Sequence, residues 1–196
     1  MKQTYWDNLG REYQFYSTPT LEMIVGFILS NGCCKVFEAS SGTGHFIKTL
    51  RHAGYRGEFI GSDYCESFLN SSKENNREEE FVLADLSDDL LFGDNQFDIS
   101  VVHHGLDYVY PYQKAFKELK RISNDFVAIT LWQPFIEKNE IRFNEEGKWN
   151  VNCYEREEWY ETLKNAGYHI LVDAEISEWN QKYQKQVYNH LFILHT

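Results

Sequence analysis

The run Val36-Phe37-Glu38-Ala39-Ser40-Ser41-Gly42-Thr43-Gly44 constrains this chain more than any other stretch. An apolar segment ends in an acid, breaks into small residues and reopens as the helical pattern Phe46, Ile47, Leu50, Ala53. That is a strand delivering a loop to a helix. Glycines at 42 and 44 let the backbone turn sharply and approach a ligand with no side chain between, while the helix start offers unpaired N–H groups. Glu38, at the carboxyl end of the strand, can accept hydrogen bonds from a ligand amine or hydroxyl. A bare strand-to-helix turn favours the same small residues, so the loop does not decide alone.

A second strand, ending Phe59-Ile60-Gly61-Ser62-Asp63, places another carboxylate about 20 residues beyond the glycines, the offset of a ribose-binding acid in nucleotide folds. The dinucleotide frame G-x-G-x-x-G needs its third glycine at 47, where Ile47 stands, so the nicotinamide and flavin readings lose ground. A third strand, Phe81 to Ala84, ends at Asp85. The order E-x-x-x-G-x-G, a strand closing on Asp63, then Phe81-Val82-Leu83-Ala84-Asp85-Leu86, resembles the class I S-adenosylmethionine-dependent methyltransferases of the small-molecule type, well over residues 33–132 and loosely beyond.

The resemblance implies one Rossmann-like α/β domain over residues 1–196, its seven-stranded, mostly parallel sheet in the order 3-2-1-4-5-7-6 with the last strand antiparallel and helices on both faces. It implies S-adenosyl-L-methionine as cofactor, lying along Glu38, Ser40, Gly42 and Gly44, with Asp63 and the adjoining Tyr64 at the ribose. Asp85 would take the adenine amino group and the Leu86 N–H a ring nitrogen, although a turn or capping acid explains Asp85 equally. The opening Tyr5-Trp6-Asp7 to Tyr16 segment is either core packing or, as in many small members, a lid over residues 1–17 with Tyr13 at the cofactor. One departure stands out: Ser40 occupies the place of the family's first loop glycine. A serine is comfortable there only at negative φ; a positive φ would lower cofactor affinity.

Elsewhere the pattern is regular. Pro19 opens a helix with Leu21, Ile24, Val25, Ile28 and Leu29 at helical spacing, ended by Asn31-Gly32; another runs from about Ser67 to Asn76, and residues 75–80 read as a solvated connection. Strand four, Phe97 to Val102, is followed by His103-His104-Gly105-Leu106-Asp107. Either His103 or His104 could act as a general base near neutral pH, and His103 could instead hold the methionine end of the cofactor. Adjacent side chains on a regular strand point to opposite faces. A helix over 112–123 and a fifth strand, Phe126 to Leu131, precede an insertion at 135–154 that reads as a hairpin, whose Phe143, Trp149 and Tyr154 line an acceptor pocket or pack on the body. A helix marked by Trp159, Leu163 and Ala166 and two strands, 168–176 and 187–195, close the chain.

The four cysteines, Cys33, Cys34, Cys65 and Cys153, show no C-x-x-C spacing, which points to reduced thiols and to neither a metal site nor a disulfide framework. The longest apolar run, 23–29, is too short for a membrane span and Met1-Lys2-Gln3-Thr4 lacks a signal-peptide core, so a soluble cytoplasmic protein is expected. A formal net charge of -11 disfavours a phosphate-backbone partner, and the stretch after strand four has no Asn-Pro-Pro-Tyr-like box. Methyl transfer to an O, N or C nucleophile of a small molecule is the expectation. A non-catalytic scaffold and an RNA or protein methyltransferase are the alternatives, and the oligomeric state stays open.

Overall fold

Short apolar runs alternating with amphipathic stretches return each strand to the same edge through a helix, which makes the sheet parallel. The computed structural model describes residues 18–132, 135–144, 149–180 and 184–196. Helix α1 (Pro19–Ser30) leads into β1 (Lys35–Ala39), α2 (His45–His52), β2 (Glu58–Asp63), α3 (Glu66–Asn75) and β3 (Glu80–Leu83). Then come β4 (Phe97–His103), a 3-10 turn (Leu106–Tyr108), α4 (Tyr112–Ile122) and β5 (Ser123–Leu131). β6 (Glu140–Asn144) and β7 (Trp149–Cys153) pair as a separate antiparallel hairpin, and α5 (Arg156–Asn165), β8 (His169–Asn180) and β9 (Lys185–His195) finish the fold. The seven-stranded sheet runs β3-β2-β1-β4-β5-β9-β8, with β9 antiparallel to both neighbours. With the hairpin set aside, this is the expected order 3-2-1-4-5-7-6.

Side chains alternate across the sheet. Val36, Ile99, Val101, Ala128 and Leu191 join a buried cluster with Leu21, Ile24 and Ile28 of α1 and Phe46, Ile47 and Leu50 of α2. Phe37, Ala39, Val102, Ile129, Leu131 and Phe192 pack on the other face against α4 and α5, around Phe116 and the fully buried Trp159. Continued to the strand ends, the same alternation brings Glu38, His103, Thr130 and Asn189 to the α1–α2 face at the carboxyl edge. Glu38 and Thr130 are each flanked on both sides by residues of the opposite cluster.

Three local readings are corrected. Leu29 and Ala53, expected inward, are exposed, because α1 turns that position out and α2 ends at His52. β5 begins at Ser123 rather than Phe126, since Ser123 pairs with Phe97 and its hydroxyl donates to the buried Ser100 Oγ at 2.6 Å. Among the described residues no helix is long and apolar enough to cross a membrane.

Candidate active site

The loop after β1 is held from below. Ser41 N–H donates to Ser62 O at 2.8 Å, Gly42 N–H donates to the Asp63 carboxylate at 3.0 Å, and Gly42 and Gly44 adopt positive φ. A Cβ on Gly44 would sit 2.3 Å from the Asn76 amide nitrogen, so only glycine fits there. Asn75 and Asn76, expected in a solvated connection, are instead the ties: their side-chain amides donate to Thr43 O at 3.2 Å and Gly44 O at 3.1 Å. Ser40 has φ 58, the left-handed region, contrary to the condition under which a serine is comfortable. Such a conformation costs a non-glycine residue about 1–2 kcal/mol. Space for its side chain comes from Gly105 after β4, where an added Cβ would meet Ser40 Cβ and Oγ at 2.5 Å.

Three acids face this loop from successive strand ends. Asp63 is buried, accepting the N–H groups of Gly42 and Cys65 on separate oxygens at 3.0 Å. Burial pushes its carboxyl up to about 6 against those hydrogen bonds, and Asp85 adds to the rise. Glu38 is buried too, and its Oε2 has no hydrogen-bond partner among the described residues. Desolvation, then the neighbouring Asp63, raises its pKa well above the ordinary carboxylate value. Asp85 is exposed, and its Oδ1 accepts Ser87 N–H at 2.8 Å and Ser87 Oγ–H at 2.7 Å, so it does form a turn of its own. Its other oxygen accepts no hydrogen bond among the described residues, and Leu86 beside it is buried.

At the end of β4 the two histidines lie side by side, with ring centroids 4.1 Å apart. Strand alternation would have separated them; His104 escapes it by leaving the strand at φ 57. Its backbone N–H donates to Thr130 Oγ1 at 3.0 Å, and the same oxygen lies 3.0 Å from His103 Nδ1. Trp132 stacks on His104 at 4.8 Å with an 8° interplanar angle, and its backbone N–H donates to the fully buried Asp107 at 3.2 Å. Burial lowers the His103 pKa to about 4, helped by His45 at the start of α2. The His104 pKa is lowered as well, by burial and by His103, with a hydrogen bond to the Asn189 side chain opposing the fall. Both rings are neutral at physiological pH.

Residues 37–125 match the family model described as a methyltransferase domain. The matched stretch, a little under half of the chain, takes in the glycine loop, the three acids and the two histidines. No curated protein matches the sequence. Among solved structures, magnesium protoporphyrin IX methyltransferase of Synechocystis with SAH bound superposes at TM-score 0.71 and 14% identity, covering 98% of this chain and 93% of that one. An S-adenosylmethionine-dependent methyltransferase of Mesorhizobium loti gives 0.69 and 14% over 90% and 98%. A chain from the Haloferax volcanii complex of the Trm112 activator with a methyltransferase gives 0.69 and 15% over 82% and 80%. These are likenesses of fold.

The site fits S-adenosylmethionine on its own terms. The partnerless oxygen of buried Glu38 suits a cationic donor such as the cofactor's ammonium group, the free lone pairs of Asp63 suit ribose hydroxyls, and the loop carries no obstructing side chain. Of the residues expected at the cofactor, Glu38, Ser40, Gly42, Gly44, Asp63, Tyr64, Asp85, Leu86 and His103 gather along one edge. Tyr13 and the lid 1–17 lie outside the described residues. The hairpin divides: Phe143 is exposed, the Trp149 side chain is outside the described part, and Tyr154 is core, its hydroxyl donating to Leu106 O at 3.0 Å. His45, Gly105, Thr130, Trp132 and Asn189 are the site residues that local pattern missed.

Proposed function

We propose that the protein transfers the methyl group of S-adenosylmethionine to an O, N or C nucleophile of a small-molecule acceptor bound beside His104 and Trp132. The observation that carries this reading is the pair of half-buried, neutral imidazoles at the same sheet edge as the partnerless Glu38 carboxylate. The cofactor supplies an electrophilic methyl on sulfur, so the nucleophile–carbon bond forms as the carbon–sulfur bond breaks and sulfur leaves as a neutral thioether. Glu38 receives the ammonium group, Asp63 and Tyr64 the ribose, Asp85 and the Leu86 N–H the adenine, and His103 the carboxylate. His104 Nε2, buried and without a partner among the described residues, takes the proton of a hydroxyl acceptor. Alignment and exclusion of water supply the remainder, with residues 1–17 and Tyr13 as the closing lid and 135–154 as the acceptor side.

The net charge of -11 and the acidic edge favour a small acceptor over RNA, and the compartment that fits is the cytoplasm. Cell extract incubated with the protein and methyl-labelled S-adenosylmethionine, then separated by size and class, tests this. Label should appear in the small-molecule fraction. Label confined to RNA or protein would overturn the acceptor class.

A further inference from the structure

We infer that Thr130 is a positioning residue that divides the labour of the two histidines, fixing His103 as the tautomer whose Nε2 carries the proton. Thr130 is fully buried on β5, in register with His103 on β4. A hydroxyl has one proton to give and two lone pairs to offer. One lone pair takes the His104 backbone N–H at 3.0 Å, and the sole acceptor that the described residues present to the hydroxyl proton is His103 Nδ1, also at 3.0 Å. With the proton on Nδ1 instead, two N–H groups would converge on one oxygen while its own proton pointed at nothing, a buried unsatisfied donor. That loss corresponds to roughly a tenfold or greater bias between the tautomers. Nδ1 therefore holds the lone pair and Nε2 the proton.

The consequence concerns both rings. With its proton on Nε2, His103 has an N–H to give and cannot serve as a base through that nitrogen; it suits an anionic oxygen. Protonating Nδ1 would strand the same hydroxyl proton, so the arrangement also keeps His103 neutral. The bond from His104 N–H anchors the left-handed turn that lays the second ring beside the first. Base work falls to His104. This assignment of a carboxylate to His103 and an acceptor proton to His104 rests on the function proposed above; the tautomer itself does not.

Nitrogen-15 NMR of the imidazoles in the full-length protein, without acceptor, reads the tautomer directly. Wild type should show His103 Nδ1 as an unprotonated ring nitrogen and Nε2 as a protonated one. Thr130→Val, equal in shape, should mix the tautomers and weaken S-adenosylmethionine binding about tenfold, while Thr130→Ser should restore both. A wild-type spectrum with the proton on Nδ1 overturns the inference, even should Thr130→Val fail to fold. A Thr130→Ser protein that behaves as Thr130→Val also overturns it. A protonated Nε2 in a protein that labels no small molecule would leave the tautomer standing and sink the proposed acceptor class, so the two failures are distinguishable.

Discussion

Glu38 and Asp63 place two buried carboxyls side by side with no cation beside them among the described residues, and this makes the cofactor-free protein lose stability as pH rises. The sign follows from proton counting. Below pH 3.8 Asp63 is protonated in both folded and unfolded chains, and nothing is lost. Between 3.8 and about 6 the unfolded chain releases its proton while the folded one keeps it, so stability falls; above about 6 the penalty levels off. Two units at about 1.4 kcal/mol each give ~3 kcal/mol from Asp63, and Glu38 adds a contribution of the same sign. Glu38→Gln removes the second acid without changing shape. Urea unfolding of both proteins without cofactor, from pH 5 to 8, should show the variant near parity at pH 5 and more stable than wild type at pH 8. Comparing them at each pH cancels groups shifted the other way, such as Glu118 and Asp173. The same variant should bind S-adenosylmethionine at least tenfold more weakly, since a charge-assisted bond of about 1.5–3 kcal/mol is gone. A Glu38→Gln protein no more stable than wild type at pH 8 would refute the account of a buried, uncompensated carboxylate.

Asp63→Ala should weaken cofactor binding at least tenfold and also loosen the loop, because the N–H groups of Gly42 and Cys65 lose their acceptor; calorimetry and thermal unfolding read the two effects. Ser40→Gly should stabilise the protein by about 1 kcal/mol by relieving the left-handed strain, whereas Gly105→Ala should destabilise it, and less severely in the Ser40→Gly background if the 2.5 Å clash is the cause. Deleting residues 1–16 leaves the Thr18 cap of α1 and the sheet in place, so the truncated protein should fold yet lose cofactor affinity and turnover; full-rate turnover would dispose of the lid.

Features that depend on a few neighbours along the chain were legible before the fold was known. Apolar alternation and the glycine loop located β1 and α2, and the acids at 38, 63 and 85 announced which edge mattered. Features that depend on contacts across the sheet were not. Thr130 acts on residues 26 and 27 positions away, and Asn75 and Asn76 tie residues 32 positions back; in sequence they are an ordinary strand threonine and a polar tail to a helix. The sign of φ at Ser40 was equally hidden, because it depends on room vacated by Gly105. Adjacent histidines read as divergent for the same reason: period-two geometry holds only while the strand lasts, and His104 is the residue that leaves it.

The partnerless polar atoms of this protein supply an argument independent of any resemblance. Native folds leave few buried polar atoms unpaired, since each costs about 1–3 kcal/mol. Among the described residues Glu38 Oε2, Ser41 Oγ and His104 Nε2 lack partners, and so does Trp159 Nε1 in the aromatic core. Apart from the tryptophan, every one lies at the carboxyl ends of β1 and β4, which pair as neighbours. Packing errors would scatter through the core; these converge on one edge. Stability forgone there is recovered when a ligand brings the missing donors and acceptors, which is why substitutions that quiet these groups, Glu38→Gln first, should strengthen the empty protein and weaken the one that binds.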